Sequence, residues 1–203
     1  EASGTVEAVG KNVDTVSVGT PVAIYYIDHC TECEPCVAGK VNMCLNLKRM
    51  GVEFNGAFAE SVVVPARNVI PVEESDSLLD IAVLTDAVAT PYHALKTIAK
   101  AKTNETVVVW GIGGIGSNAV QIAKLFGCHV IAVSRSEEKL SLAKEMGADK
   151  TITADSECIK KIKDLTGSGP EIIIQTVGSA EADRNAFEAV GVGTRLVLVG
   201  ATT

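Results

Sequence analysis

The sequence contains no apolar run approaching the roughly 20 residues needed to cross a bilayer, so it reads as a soluble protein with no membrane partner. It also lacks a basic excess. The 18 Lys and Arg are spread along a chain with 25 Asp and Glu, and the net charge of -7 argues against nucleic acid as the main partner. No secretory leader precedes the cysteines, which favours reduced thiols and a cytoplasmic setting over a disulfide framework. An initiating methionine is missing too. The chain opens at Glu1 and closes just after Leu196-Val197-Leu198-Val199-Gly200, which looks like a buried strand, and the expectation is an internal segment of a longer chain.

The cysteines that are present are concentrated. Cys30, Cys33, Cys36 and Cys44 form a C-x2-C-x2-C-x7-C run. Zn²⁺ has no ligand-field geometry of its own, so four thiolates on one loop can close around it and leave no position open for substrate. The implied zinc is structural, and a disulfide pair is the alternative. His29, beside the run, reads as a surface residue or a neighbour of the cage, because four cysteines already complete it. Cys128 and Cys158 read as ordinary semi-buried thiols.

Composition divides the chain. Residues 1 to about 72 are rich in Val and Gly and broken by turn signals at Gly10-Lys11-Asn12, Gly19-Thr20-Pro21 and Asn55-Gly56, as in a small antiparallel β unit. A helical stretch follows from Ser77 to Leu84, with Ser75 or Asp76 as cap, and another from about Thr90 to Ala101. From Thr106 onward, short apolar strands (107–110, 130–133, 151–152, 172–174 and 196–199) alternate with amphipathic helices, which predicts an α/β fold with a doubly wound parallel sheet.

The first of these strands runs into Gly111-Ile112-Gly113-Gly114-Ile115-Gly116 and then a helix, Ser117 to Phe126. In that context the glycines allow a tight turn and close approach of the backbone to a pyrophosphate at the helix N-terminus. A Gly-rich turn without a ligand is the alternative. An acidic side chain ending the second strand would take the ribose hydroxyls of NAD(H), and none stands there. Ser134-Arg135, with Lys139 one helical turn on, suits the 2'-phosphate of NADP(H). NAD(H) stays open as the alternative, since Glu137 and Glu138 follow closely and Arg135 has the option of stacking on adenine.

Taken together, these residues resemble the zinc-dependent medium-chain alcohol dehydrogenases. The likeness runs over the whole chain, from Glu1-Ala2-Ser3-Gly4 (like the end of the family's Gly-His-Glu-x-x-Gly segment) and the four-cysteine lobe, through Gly56-Ala57-Phe58-Ala59-Glu60 and Thr85-Asp86-Ala87-Val88-Ala89-Thr90, to the glycine turn. It implies a GroES-like catalytic domain over 1–85 and a Rossmann domain over 86–203, both incomplete. It also implies hydride transfer between a nicotinamide and an alcohol or carbonyl substrate, with a homodimer or homotetramer as the complete assembly.

By the same resemblance, Asp86 matches a catalytic zinc ligand and Glu1 a glutamate that stands behind the ligands or exchanges onto the metal, the remaining ligands lying outside this chain. Asp86 read alone is an ordinary helix cap. Thr90 matches a threonine against the nicotinamide, and it too has a capping alternative. Val177, Gly178, Val199 and Gly200 stand at carboxyl strand ends where such sheets bind ligands, while Gln175 stands where many relatives carry an acidic residue. His93 reads as a partly buried structural histidine, and His129 has no visible partner. Substrate is not legible beyond a possible contribution from 54–58. Two other functions remain open: a zinc-free quinone or enoyl reductase of the same superfamily, and a non-catalytic NADP(H)-binding module. On the dehydrogenase reading these 203 residues alone are expected to be inactive.

Overall fold

Val22, Ala23 and Ile24 form the buried centre of the first of two units, Glu1–Asp86 and Ala87–Thr203, in a computed structural model that describes residues 1–74 and 77–200. In the first unit β1 (Ala2–Thr5) runs antiparallel to β2 (Pro21–Ile24), with Ala2 opposite Ile24 and Thr5 opposite Pro21. A two-residue strand β3 (Ile27–Asp28) leads into the cysteine loop, which holds the single turn α1 (Glu34–Val37). The loop returns through β4 (Lys48–Arg49), antiparallel to β3, and β5 (Val69–Pro71) closes the order β1-β2-β5. Asn68 locks the two sheets: it is buried, and its Nδ2 donates to the carbonyls of Tyr25 at 2.7 Å and Ile27 at 2.9 Å.

The turn expected at Asn55-Gly56 falls instead at 51–53. There Gly51 has a φ of +83° and donates to Phe54 O at 2.8 Å. Electrostatics outweigh the Asn-Gly signal: Glu53 takes the Arg49 backbone N–H at 2.6 Å and the guanidinium at 2.5 Å, so the reversal is tied before Asn55 is reached. α2 (Leu78–Ile81) is capped by Ser77, whose Oγ accepts from Asp80 N, and it continues as a 3₁₀ turn over Ala82–Thr85. Ser75 and Asp76, expected to cap it, lie outside the described residues.

The second unit opens with α3 (Ala89–His93), which widens into a π turn over Ala94–Ile98 where one continuous helix to Ala101 is expected. Five strands then alternate with helices: β6 (Thr106–Trp110), α4 (Gly114–Leu125), β7 (His129–Ser134), α5 (Glu137–Glu145), β8 (Lys150–Thr153), α6 (Cys158–Thr166), β9 (Ile172–Gln175), α7 (Ala180–Ala189) and β10 (Arg195–Leu198). All pairings are parallel, in the order β10-β9-β6-β7-β8.

Strand periodicity sorts the side chains to two faces. Val107, Val109, Ile172 and Ile174 pack with Leu95 and with Ala119, Val120 and Ala123 of α4. Val108, Ile131, Ile173 and Ile152 pack with Ile162 of α6 and Ala186 of α7. Covering both faces explains why these strands read as continuous apolar runs. Truncating a fully buried isoleucine such as Ile173 to Ala would cost about 2–5 kcal/mol.

Candidate functional site

The strand pair β3 and β4 brings the two ends of the cysteine loop together, Cys30 following one strand and Cys44 preceding the other. All four Sγ atoms lie within 4.8 Å of one another. The edge of a tetrahedron of sulfurs around Zn²⁺ is about 3.8 Å, from a Zn–S bond near 2.3 Å. Cys33 and Cys44 are 3.9 Å apart and Cys44 and Cys30 3.6 Å, so the cage fits zinc with little adjustment. Backbone N–H groups face the sulfurs: Cys30 N and Asn46 N reach Cys44 Sγ at 3.3 Å, and Cys33 N reaches Cys30 Sγ at 3.4 Å. Such donors stabilise thiolate. The N–H groups of Glu32 and Cys33 pull the Cys30 thiol down to about 6, whereas burial, followed by hydrogen bonding with Cys33 and Cys44, pushes Cys36 up to about 12. A divalent cation displaces the remaining protons, so metal binding here is coupled to proton release.

The glycine turn lies at the carboxyl end of β6. Chain order reverses beside this strand, since β7 and β8 lie to one side and β9 and β10 to the other. Open sheets bind ligands at such a switch point. A cleft of about 700 Å³ opens there, lined by Gly111, Ile112, Gly113, Gly114 and Ile115, by Ser134, Arg135 and Lys139, and by Val177 and Gly178.

The glycines divide into two kinds. Gly111 has a φ of +93°, and a Cβ on it would meet Val177 Cγ2 at 2.4 Å; a Cβ on Gly116 would meet Gly111 O at 1.8 Å. Gly113 and Gly114 have nothing within 4 Å of the corresponding position. The first pair makes the turn possible, and the second leaves free space over an N-terminus whose first-turn N–H groups lack helical partners. The expected helix start at Ser117 is thus corrected to Gly114, with Gly113 as the extended N-cap. Glycine's low helix propensity masks this start in the sequence, because Gly114 and Gly116 lie within the first turn.

At the end of β7, Ser134 is buried and its Oγ accepts from Ser136 N at 3.2 Å, while Ser136 Oγ caps α5 by accepting from Lys139 N at 3.3 Å. Arg135 and Lys139 are exposed and line the cleft. Glu137 is occupied elsewhere, accepting from Thr153 Oγ1 at 3.1 Å, and neither it nor Glu138 belongs to the lining. Thr176, which sequence reasoning missed, reaches the Trp110 and Gly111 carbonyls at 3.1 and 2.9 Å and so fixes the turn. Its signal was weak, a lone threonine after an apolar strand.

Not every anticipated residue lines the cleft. Gly116 is buried behind the turn; Thr90, Val199 and Gly200 are outside the lining, although Gly200 backs onto it, a Cβ there falling 2.6 Å from the Val177 carbonyl carbon. In the first unit, Asp86 ends the 3₁₀ turn that packs on β1 and β2, and Glu1 precedes β1. Burial, then the Asp86 charge, raises both Tyr25 and Tyr26; Glu1 adds to Tyr26, against Arg49. The two tyrosines beside these carboxylates had no sequence signal. Among the described residues, the four cysteines are the only His, Cys, Asp or Glu group of three or more close enough for one ion. His29 Nδ1 is buried with no hydrogen-bond partner among the described residues.

A small antiparallel unit with a four-thiol cage, and a parallel sheet with a glycine-turn cleft, define the class of zinc-lobed proteins carrying a dinucleotide fold. Residues 114–203 match the family model for zinc-binding dehydrogenases and residues 1–74 that for the alcohol dehydrogenase GroES-like domain. An alcohol dehydrogenase of Geobacillus stearothermophilus is 36% identical over 202 residues, 98% of this chain and 59% of the relative. The crystal structure of an NAD-dependent alcohol dehydrogenase superposes with a TM-score of 0.90 at 32% identity, over 98% of this chain and 59% of that one. A zinc-binding dehydrogenase from Sinorhizobium meliloti 1021, bound to NADP, gives 0.86 at 27% identity, again over 98% and 59%. The chain belongs to the zinc-dependent medium-chain alcohol dehydrogenase family, and it spans about 59% of the length of these relatives.

Proposed function

We propose that the protein is part of an alcohol dehydrogenase that passes hydride between NADP(H) and a small alcohol or carbonyl compound, with 1–85 as catalytic domain and 86–203 as dinucleotide domain. The observation that carries the cofactor choice is the end of β7: Arg135 and Lys139 line the cleft, and Glu137 is turned to Thr153. A guanidinium and an ammonium match a dianionic 2'-phosphate, and neither Glu137 nor Glu138 joins them in the lining. The two solved relatives do not decide the matter, one being NAD-dependent and the other holding NADP. Gly113, Gly114 and Ile115 receive the pyrophosphate at the start of α4, Gly111 and Gly116 shape the turn, and Ser134 contributes its hydroxyl. Val177 and Gly178 wall the nicotinamide half, backed by Val199 and Gly200, and Thr90 lies against the ring. When bound, zinc would supply electrostatic stabilisation at the substrate oxygen and the nicotinamide would supply the hydride chemistry.

In this reading Cys30, Cys33, Cys36 and Cys44 hold a structural zinc, and Asp86, with Glu1 as an exchangeable neighbour, contributes to a catalytic one. One carboxylate holds zinc weakly, so turnover belongs to a chain that also carries segments of the length found in its relatives. Six unpaired cysteines suit a reducing, cytoplasmic setting. The test is alcohol oxidation by such a chain with each cofactor. Faster turnover with NADP⁺, lost in Asp86→Ala while one zinc remains, supports the reading. Dinucleotide binding without turnover would leave a binding module, and equal turnover without any catalytic metal would mean a zinc-free reductase.

A further inference from the structure

Gln175 ends β9 with its side chain fully buried, and a buried amide must satisfy both of its ends. Its Oε1 accepts the Val177 N–H, and its Nε2 donates to Asp183 Oδ1 in the first turn of α7. The orientation follows from chemistry, since only the oxygen can meet a backbone N–H, which leaves the NH₂ for the carboxylate. The backbone carbonyl of the same residue takes the N–H groups of Val199 at 2.8 Å and Gly200 at 3.1 Å. Ser179 then returns its N–H to Val177 O at 2.8 Å and caps α7 by accepting from Ala182 N at 3.2 Å. One residue therefore joins the end of β10, the turn at Val177 and Gly178, and the helix whose Glu181, Ala182 and Asn185 also line the cleft.

We propose that Gln175 and Asp183 form a positioning pair that holds the Val177–Gly178 turn in the shape needed by the nicotinamide half of the dinucleotide, and that the amide keeps this hold independent of pH. The proposal rests on the dinucleotide reading above. The neighbours of Gln175 support it: β6 and β10 set Trp110 and Leu198 in register beside it, neither charged, and α7 supplies Asp183 in contact and Glu181 along the cleft wall. A carboxylate at 175 would still accept from Val177 but would face another carboxylate. Two such groups share a proton until the pH removes it, and then repel. The hold in that variant is present below the raised pKa of the pair and lost above it.

Trp110, the single tryptophan of the chain, lines the cleft, and energy transfer from it is the readout for NADPH. Gln175→Glu should bind NADPH nearly as wild type at pH 6 and about tenfold more weakly at pH 8.5, each compared with wild type at the same pH. The double variant Gln175→Glu/Asp183→Asn restores a donor opposite the carboxylate and should recover affinity to within about twofold at both pH values. The pair is overturned if Gln175→Glu matches wild type at both pH values, or if the folded double variant stays as weak as the single one at pH 8.5. Should Gln175→Glu fail to fold, a folded double variant of wild-type affinity supports the pair, and failure of both to fold reduces the residues to a structural role. Absence of transfer in wild type with either dinucleotide would instead sink the dinucleotide reading itself.

Discussion

Gly116 sits so tightly behind Gly111 that a Cβ on it would lie 1.8 Å from the Gly111 carbonyl oxygen. Backbone cannot yield as a side-chain tip can. Gly116→Ala should therefore destabilise the fold by at least about 1–3 kcal/mol, the range for overpacking, and weaken dinucleotide binding with it. Gly114→Ala separates the two effects. Nothing lies within 4 Å of its added methyl, and helix propensity gains up to about 1 kcal/mol, so thermal unfolding should hold steady or rise while NADPH affinity falls. Unchanged affinity in that variant would mean the open space is not where the pyrophosphate lies.

Arg135 supplies the sharper test of cofactor choice. Arg135→Ala should weaken NADPH by about 1–3 kcal/mol, as for loss of a charge-assisted hydrogen bond, and leave NADH nearly unchanged. Calorimetric titration of both cofactors checks this, and an equal loss for both would show that the guanidinium stacks on adenine instead.

Removing one thiol from the cage should act through stability. Cys33→Ser is expected to abolish stoichiometric zinc and lower the unfolding temperature, and a strong chelator should do the same to the unaltered protein. Metal analysis alongside calorimetry is sufficient; full zinc in the variant would rule out the four-thiol cage.

Asp149 links the start of β7 to α4, taking the Val130 N–H at 2.7 Å and the Lys124 ammonium at 2.8 Å. Burial would raise its carboxyl, but the Lys124 bond and then the Val130 N–H outweigh this and leave it below the ordinary range. With the folded pKa below the unfolded one, the contribution is complete above about pH 4 and disappears as pH falls through the folded value. Asp149→Asn should thus cost about 1 kcal/mol at pH 7, modest because the pair is partly exposed, and lose less on acidification than wild type.

Much of the architecture was legible from local pattern. The five apolar runs announced a parallel sheet because both faces of β6 and β9 are covered, and the cysteine and glycine spacings act over a few residues, where sequence and space coincide. What could not be read depends on partners that sequence distance hides. Gln175 finds Asp183 eight residues on, across a strand end and a turn, and Thr176 finds Trp110 and Gly111 across two strands. Tyr25 and Tyr26 come under the charge of Asp86 only through the packing of the Ala82–Thr85 turn on β2. The Asn55-Gly56 signal was overridden by the Arg49–Glu53 ion pair, which has helical spacing but closes a loop.

The most direct measurement is an equilibrium titration of the protein with NADPH and with NADH, followed by energy transfer from Trp110. The account expects saturable transfer at one dinucleotide per chain, with NADPH the tighter ligand. No saturable transfer with either would contradict the dinucleotide cleft, and tighter binding of NADH would contradict the role given to Arg135 and Lys139.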